Sequence, residues 1–181
     1  MHTEYEARIL EINIEELENK LQELGAKYVG EFNQQRYVYD VKPKQDGKWI
    51  RLRKANEEVT LTIKDILNDG ISGTKELEIK VDNFEDTNFL LEELGYTNKG
   101  YQENKRIRYI LDDVEIDIDS WPLIPTYVEI EGKNEEEVKD IIKKLGYREE
   151  DIVTLNTKSI YKKYGYELED IKDLRFWINW R

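Results

Sequence analysis

Glu4 and Glu6 alternate with Tyr5 and Ala7 near the start of the chain, and Arg8 follows in the same phase. In an extended segment successive side chains point to opposite faces, so two carboxylates and a guanidinium share one face and apolar groups the other. Paired carboxylates repel unless a cation lies between them, and a divalent metal is a common solution. A single stretch of this kind also fits the solvated face of an ordinary amphipathic strand. Recurrence separates the two readings. Glu76 and Glu78, then Glu129 and Glu131, repeat the alternating pair, and Glu115, Asp117 and Asp119 share one face of a further stretch. Basic alternation lies between them: Arg51 and Arg53, then Lys64 in phase with Thr60 and Thr62, then Arg106 and Arg108. Nearly every charge stands opposite the apolar residues, and charges of one sign keep together. Solvated faces mix signs, because mixed neighbours relieve repulsion.

Composition bounds the chemistry. The 181-residue chain has a formal net charge of -12, which argues against general nucleic-acid binding, since that needs a basic surface to displace counterions. A small polyanion remains compatible, because local field rather than net charge governs a cleft. There is no cysteine, hence neither a disulfide scaffold nor a thiolate metal site, and the composition suits a reducing cytosol. No stretch has the pattern of a signal peptide or the length of a membrane span, so a cytoplasmic protein is expected. His2 is the lone histidine and sits at the start of the chain, a poor place for a catalytic imidazole.

The elements that must position these residues are legible in outline. A strand is expected over 3–12, followed by a helix capped by Asn13 with Glu16, striped by Ile14, Leu17, Leu21 and Leu24 and closed by Gly25. Residues 27–41 read as extended with a break near Gly30 to Asn33, and residues 49–64 as a hairpin turning at Asn56. The segment from Asn68 to Gly73 holds two glycines and is the candidate mobile loop. A strand through Glu76 and Glu78, a helix from Phe84 to Leu94, a hairpin over 101–119 and a strand around Glu129 follow. A last helix of this series carries Val138, Ile141, Ile142 and Leu145 behind an Asn134 cap. Acidic strand, helix, then Leu-Gly recurs three times and resembles duplication.

Each helix has one apolar stripe and each strand one apolar face, so helices belong on the outside of the sheet. The fold class expected is α+β, with an eight-stranded antiparallel β-barrel whose charged face becomes the lumen. So many enclosed charges must be wet, paired with each other, or occupied by ligand and metal.

As an ordered set, the stretches at 4–8, 51–53, 62–64, 76–78, 106–109, 117 and 129–131 resemble the CYTH superfamily of triphosphate tunnel metalloenzymes. That superfamily includes class IV adenylyl cyclases, thiamine triphosphatases and inorganic triphosphatases. The resemblance implies one tunnel domain over 1–165. The tail 166–181 is apolar enough to pack on the body or on a partner subunit, with Phe176, Trp177 and Trp180 the expected contacts. It implies that Glu4, Glu6, Glu129 and Glu131, joined by Asp117, hold Mg²⁺ or Mn²⁺. Arg8, Arg51, Arg53, Lys64, Arg106, Arg108 and Lys158 match phosphate-binding positions. Asp117, Lys64 and Glu78 are the expected catalytic group, with Glu76 beside Glu78 for a second metal or for orienting the bases. Arg8 and Arg106 depart from the family pattern, which has lysine there; arginine keeps the charge but gives up no proton. The expected ligand is a small-molecule triphosphate. Hydrolysis of its terminal phosphoanhydride, cyclisation of ATP to cyclic AMP and pyrophosphate, and binding without turnover are all compatible with the residues.

Overall fold

The computed structural model describes residues 1–176 of the chain. Eight antiparallel strands close into a barrel: β1 (His2–Ile9), β2 (Lys27–Asp40), β3 (Lys48–Ala55), β4 (Glu58–Ile66), β5 (Thr74–Val81), β6 (Asn98–Leu111), β7 (Val114–Ser120) and β8 (Tyr127–Gly132). Their order is β2-β3-β4-β5-β1-β8-β7-β6, and β6 returns to β2. That closing pair uses both long strands, from Lys27 opposite Ile110 to Tyr39 opposite Asn98. Closure removes the free edges that an open sheet would leave.

The period-two pattern decides which face looks inward. On β8 the apolar Val128 and Ile130 are fully buried against the outer helices, while Glu129 and Glu131 line the bore. Register then sets the acids beside one another: Glu6 faces Glu131, Arg8 faces Glu129, and Glu131 faces Glu115. A slip of one residue would turn every charge into the core.

Among the described residues there are four helices, and the first three stand where the sequence places them. α1 (Ile14–Glu23), α2 (Phe84–Glu93) and α3 (Glu135–Lys144) each begin with an asparagine, Asn13, Asn83 or Asn134, whose side chain accepts from a backbone N–H of the first turn. Each ends in Leu-Gly. The glycines at 25, 95 and 146 have φ of 76, 84 and 92°, and the next N–H donates back to Leu21, Leu91 or Ile142. α1 and α3 cover β1, β7 and β8 through a core that includes Ala7, Leu17, Leu21, Ile116, Val138 and Ile142. α2 covers β3 with Phe84 and Leu91 against Tyr39 and Leu52.

Several boundaries differ from the sequence reading, each for a local reason. β1 stops at Ile9 because the chain turns through Glu11 at φ 57° to reach the Asn13 cap. β2 has no break at 30–33; a register shift between Tyr28 and Gly30 absorbs the irregularity and the strand continues to Asp40. The two-glycine loop is anchored: Ile71 is buried in the main core, and its carbonyl accepts from Glu6 N at 3.0 Å along the part of β1 that β5 leaves unpaired.

α4 (Thr157–Lys163) and the tail close over one barrel end. Leu168 and Leu174 pack with Trp121, Ile124, Tyr127, Ile160 and Tyr161. β9 (Asp173–Leu174) lies parallel to β6 at Tyr101 and Gln102, beyond the point where β7 has ended. Phe176 lies under Lys105 Nζ, 5.1 Å from the ring centroid, and Trp177 and Trp180 lie outside the described residues. Leu174 is fully buried, so Leu174→Ala is expected to lower stability by about 2–4 kcal/mol, seen as a shifted denaturant midpoint with unchanged slope.

Candidate active site

The bore is a cavity of about 730 Å³, lined by inward residues of all eight strands. That is a volume typical of small-molecule sites. Glu4, Glu6, Arg8, Arg51, Arg53, Lys64, Glu76, Glu78, Arg106, Arg108, Glu129 and Glu131 all line it. Asp117 is buried behind them, between Arg106 and Arg108.

Segregation of sign along the chain becomes pairing of sign across it. Lys64 Nζ donates to both oxygens of Glu4, at 2.9 and 2.8 Å, and lies 3.1 Å from Glu76. Arg106 donates to Asp117 at 2.5 Å, to both oxygens of Asp119 at 2.8 and 2.6 Å, and to Glu129 at 3.1 Å. Arg108 grips Asp117 through two bonds of 2.7 Å and meets Glu115 at 2.8 Å. Arg8 bridges Glu6 and Glu129 at 3.1 and 2.5 Å, and its second terminal nitrogen donates to the Leu155 carbonyl at 3.0 Å. Glu78 accepts from Thr62 Oγ at 2.7 Å and from Arg51 and Arg53 at 3.3 and 3.4 Å. These forks have the geometry that also suits phosphate oxygens.

Proton affinities split the acids into two kinds. Burial works against ionisation of Glu129, but Arg8, Arg106 and Lys64 outweigh it and hold this carboxyl well below the usual range. Burial likewise opposes Glu76 and Glu78, which their basic neighbours keep low. Glu131 goes the other way. Burial, with Glu129, Glu6 and Glu115 nearby, pushes it up to about 7 against the pull of Lys64. Among the described residues Glu131 joins no ion pair or side-chain hydrogen bond. Burial first, then Glu6 and Glu76, push Glu4 up to about 8 despite its contact with Lys64.

This corner fits a hard divalent cation by donor type. Its ligands are carboxylate oxygens, and Glu131 is crowded by negative charge with no basic group bonded to it. Among the described residues no three acids converge on one point, because Arg8 and Lys64 stand between Glu6, Glu129 and Glu4. A cation entering here must take these carboxylates from their basic partners.

The basic side is strained by like charge. Arg51, then burial and Arg106, draw Arg53 down to about 9, which still leaves it charged at neutral pH. Lys158, the second residue of α4, lines the same cavity at its α4 end; it is exposed there and pairs with Glu169 at 3.0 Å. Asp119, which binds Arg106, was visible in the alternating pattern. The sequence reading missed Gln34, Arg36, Gln102 and Asn104, all buried and lining the bore. The alternation that could have revealed them is present on β2, but Val38 shares their phase and tyrosines fill the gaps, so the stretch reads as packing.

The closed antiparallel barrel is a tunnel whose bore carries facing acids and bases. The chain belongs to the CYTH family, whose domain pattern matches residues 2–157. Among solved structures, the PH1012 protein of Pyrococcus horikoshii OT3 is 26% identical with a TM-score of 0.76, over 87% of this chain and 98% of that one. A putative adenylate cyclase of Vibrio parahaemolyticus shares the fold at 15% identity and a TM-score of 0.76, over 89% and 98% of the two chains. So does a putative adenylyl cyclase of Hippeastrum with a dominant triphosphatase activity, at 15% identity and a TM-score of 0.64, over 94% and 99%. No curated protein sequence matches the chain. Among the described residues no helix is long and apolar enough to cross a membrane.

Proposed function

We propose that the protein is a divalent-metal-dependent enzyme that binds a triphosphate in its tunnel and hydrolyses the terminal phosphoanhydride. One observation carries this: carboxylates crowded around Glu131 and a row of guanidiniums from Arg51 to Arg108 line the same enclosed cavity. Neither group alone specifies the ligand. Together they complement a polyanion that arrives with a metal.

In this reading Glu4, Glu6, Glu129 and Glu131 hold Mg²⁺ or Mn²⁺, with Asp117 contributing from behind. Bound there, the metal supplies positive charge where negative charge builds on the phosphate oxygens. Arg51, Arg53, Arg106 and Arg108 exchange carboxylate partners for phosphate oxygens and hold the chain extended. Arg8 and Arg106 remain charged and act as anchors. Lys64 belongs with them: burial opposes its charge, but Glu6, Glu4 and Glu76 keep its pKa raised. Glu78, fixed by Thr62, serves as an oriented acceptor for a water in line with the terminal phosphorus, while Asp117, behind the bore, holds Arg106 and Arg108 in position. Hydrolysis is favoured over cyclisation because it needs only the tunnel and the metal, whereas cyclisation also needs nucleoside recognition. The names of the Vibrio and Hippeastrum relatives are compatible with either chemistry on this fold.

Product analysis tests the reaction. Incubation with tripolyphosphate, thiamine triphosphate and ATP under Mg²⁺ or Mn²⁺ should release phosphate. Cyclic AMP with pyrophosphate would establish the cyclase instead, and tight binding without product would make the protein a binding module.

The site also predicts a pH dependence. Protons on Glu131 and Glu4 persist to about 7 and about 8, so a cation must displace them. Mn²⁺ uptake should strengthen from about pH 6 to about pH 8.5 and release protons, measured by calorimetry in buffers of different ionisation heat. Uptake that is flat with pH and releases no protons would contradict this assignment.

A further inference from the structure

Arg36 differs from the other basic groups of the bore. Arg8, Arg51, Arg53, Lys64, Arg106 and Arg108 each have a carboxylate within 4 Å. Among the described residues Arg36 forms no ion pair, although it is only 9% exposed and lines the same cavity. Its cross-strand neighbours are another arginine, Arg53, and the neutral Gln102. Burial, and next the charge of Arg51, draw Arg36 down to about 10, which leaves it a cation at neutral pH. A buried cation without an anion is costly to maintain, and packing alone would be served by a neutral side chain of similar length.

The guanidinium is also held in a fixed plane. Its carbon lies 4.1 Å from the centroid of the Trp121 ring, and its Nε donates to Gln102 Oε1 at 3.0 Å. Trp121 in turn packs perpendicular to Tyr161 of α4, which is pinned by a 2.7 Å bond from its hydroxyl to the Pro122 carbonyl. Nε is thus committed, while the two terminal nitrogens donate to no group among the described residues. A second donor nearby, Trp121 Nε1, is buried without a partner. The two terminal nitrogens of Arg36 and Trp121 Nε1 are thus donors without an acceptor among the described residues.

Resting on the reading of the bore as a phosphate site, we infer that Arg36 is a further phosphate-binding residue, holding a phosphoryl group at the α4 end of the tunnel. The other arginines must release a carboxylate before they can take a phosphate oxygen. Arg36 has none to release, and its plane is set in advance, so its bond to phosphate adds to affinity with little offset. Its effect therefore falls on binding more than on the chemical step. The shared chemistry is a phosphoryl oxyanion, supplied either by free polyphosphate or by a nucleotide.

Calorimetry and steady-state kinetics on wild type, Arg36→Gln and Arg36→Lys, each with Mn²⁺ and either tripolyphosphate or ATP, test this. Arg36→Gln should weaken binding of both ligands by about tenfold or more and raise KM, with kcat changed by only a few-fold. Arg36→Lys should recover part of the loss, since an ammonium restores the charge but not the fork. Without ligand, Arg36→Gln should unfold at the same temperature as wild type or higher, because it removes an unpaired buried charge. Unchanged affinity for both ligands would overturn the inference. So would a loss confined to ATP, which would place Arg36 on the base or sugar. If Arg36→Gln failed to fold while Arg36→Lys folded and bound like wild type, the residue would be structural. Wild-type protein that bound neither ligand would overturn the reading of the bore and Arg36's role with it.

Discussion

Glu131→Gln is expected to lower Mn²⁺-dependent hydrolysis of tripolyphosphate by about two orders of magnitude, the scale set by losing one well-placed electrostatic group in an enclosed site. The same change should raise the melting temperature at pH 8. Glu131 holds its proton up to about 7 in the folded protein, against an ordinary value of 4.5. A raised carboxyl pKa means the folded state binds the proton more tightly, so ionising the group costs stability as pH climbs from 4.5 through 7. Glutamine is never ionised and escapes that cost. The gain should be full at pH 8 and vanish near pH 4, where the carboxyl is protonated whether the chain is folded or not. A residue kept for structure would show the opposite pairing, with stability lost along with activity. Thermal melts at the two pH values, run beside the rate assay, separate the cases.

Arg106→Ala should be the most damaging single change for the fold. Arg106 is the shared cation of Asp117, Asp119 and Glu129, all of them buried. Breaking a buried pair by removing one partner costs about 3–5 kcal/mol, and here three acids lose the same partner. That is comparable with the whole stability of an ordinary domain. Arg106→Ala protein should therefore be largely unfolded at pH 8 by circular dichroism. Acid should help it. Burial, against the pull of Arg106, already pushes Asp119 up to about 6, so lowering the pH toward 5 lets that acid neutralise itself in place of its lost partner. A fold that is as stable as wild type at pH 8 would show that Arg108 and Arg8 suffice to hold these carboxylates.

These outcomes depend on register, and register marks the boundary of what could be read from the chain. The alternation of Glu4 and Glu6, of Glu129 and Glu131, and of Arg51 and Arg53 is a local pattern, so their common inward face was visible without coordinates. Asparagine caps and Leu-Gly ends are local too, and they located three helices. Partnership is not local. That Arg106 would serve Asp117, Asp119 and Glu129, while Glu131 would be left to its acidic neighbours, follows from how β6, β7 and β8 align. Arg36 was hidden for a related reason. Its phase on β2 is shared with Val38, and only closure against β6 and the approach of Trp121 show that it faces the bore. Ile71 is a lone apolar residue between glycines and carries no period, so the loop read as free although its one large side chain is buried in the core.

In the proposed function, acids and bases from eight strands form one channel that takes a polyphosphate together with a metal. Calorimetric titration of the intact protein with tripolyphosphate, with and without Mn²⁺, tests this most directly. The arrangement predicts saturable one-to-one uptake that tightens strongly when the metal is present and weakens as salt is raised. Folded protein that takes up no tripolyphosphate, or takes it up equally well without Mn²⁺ after chelation, would contradict it.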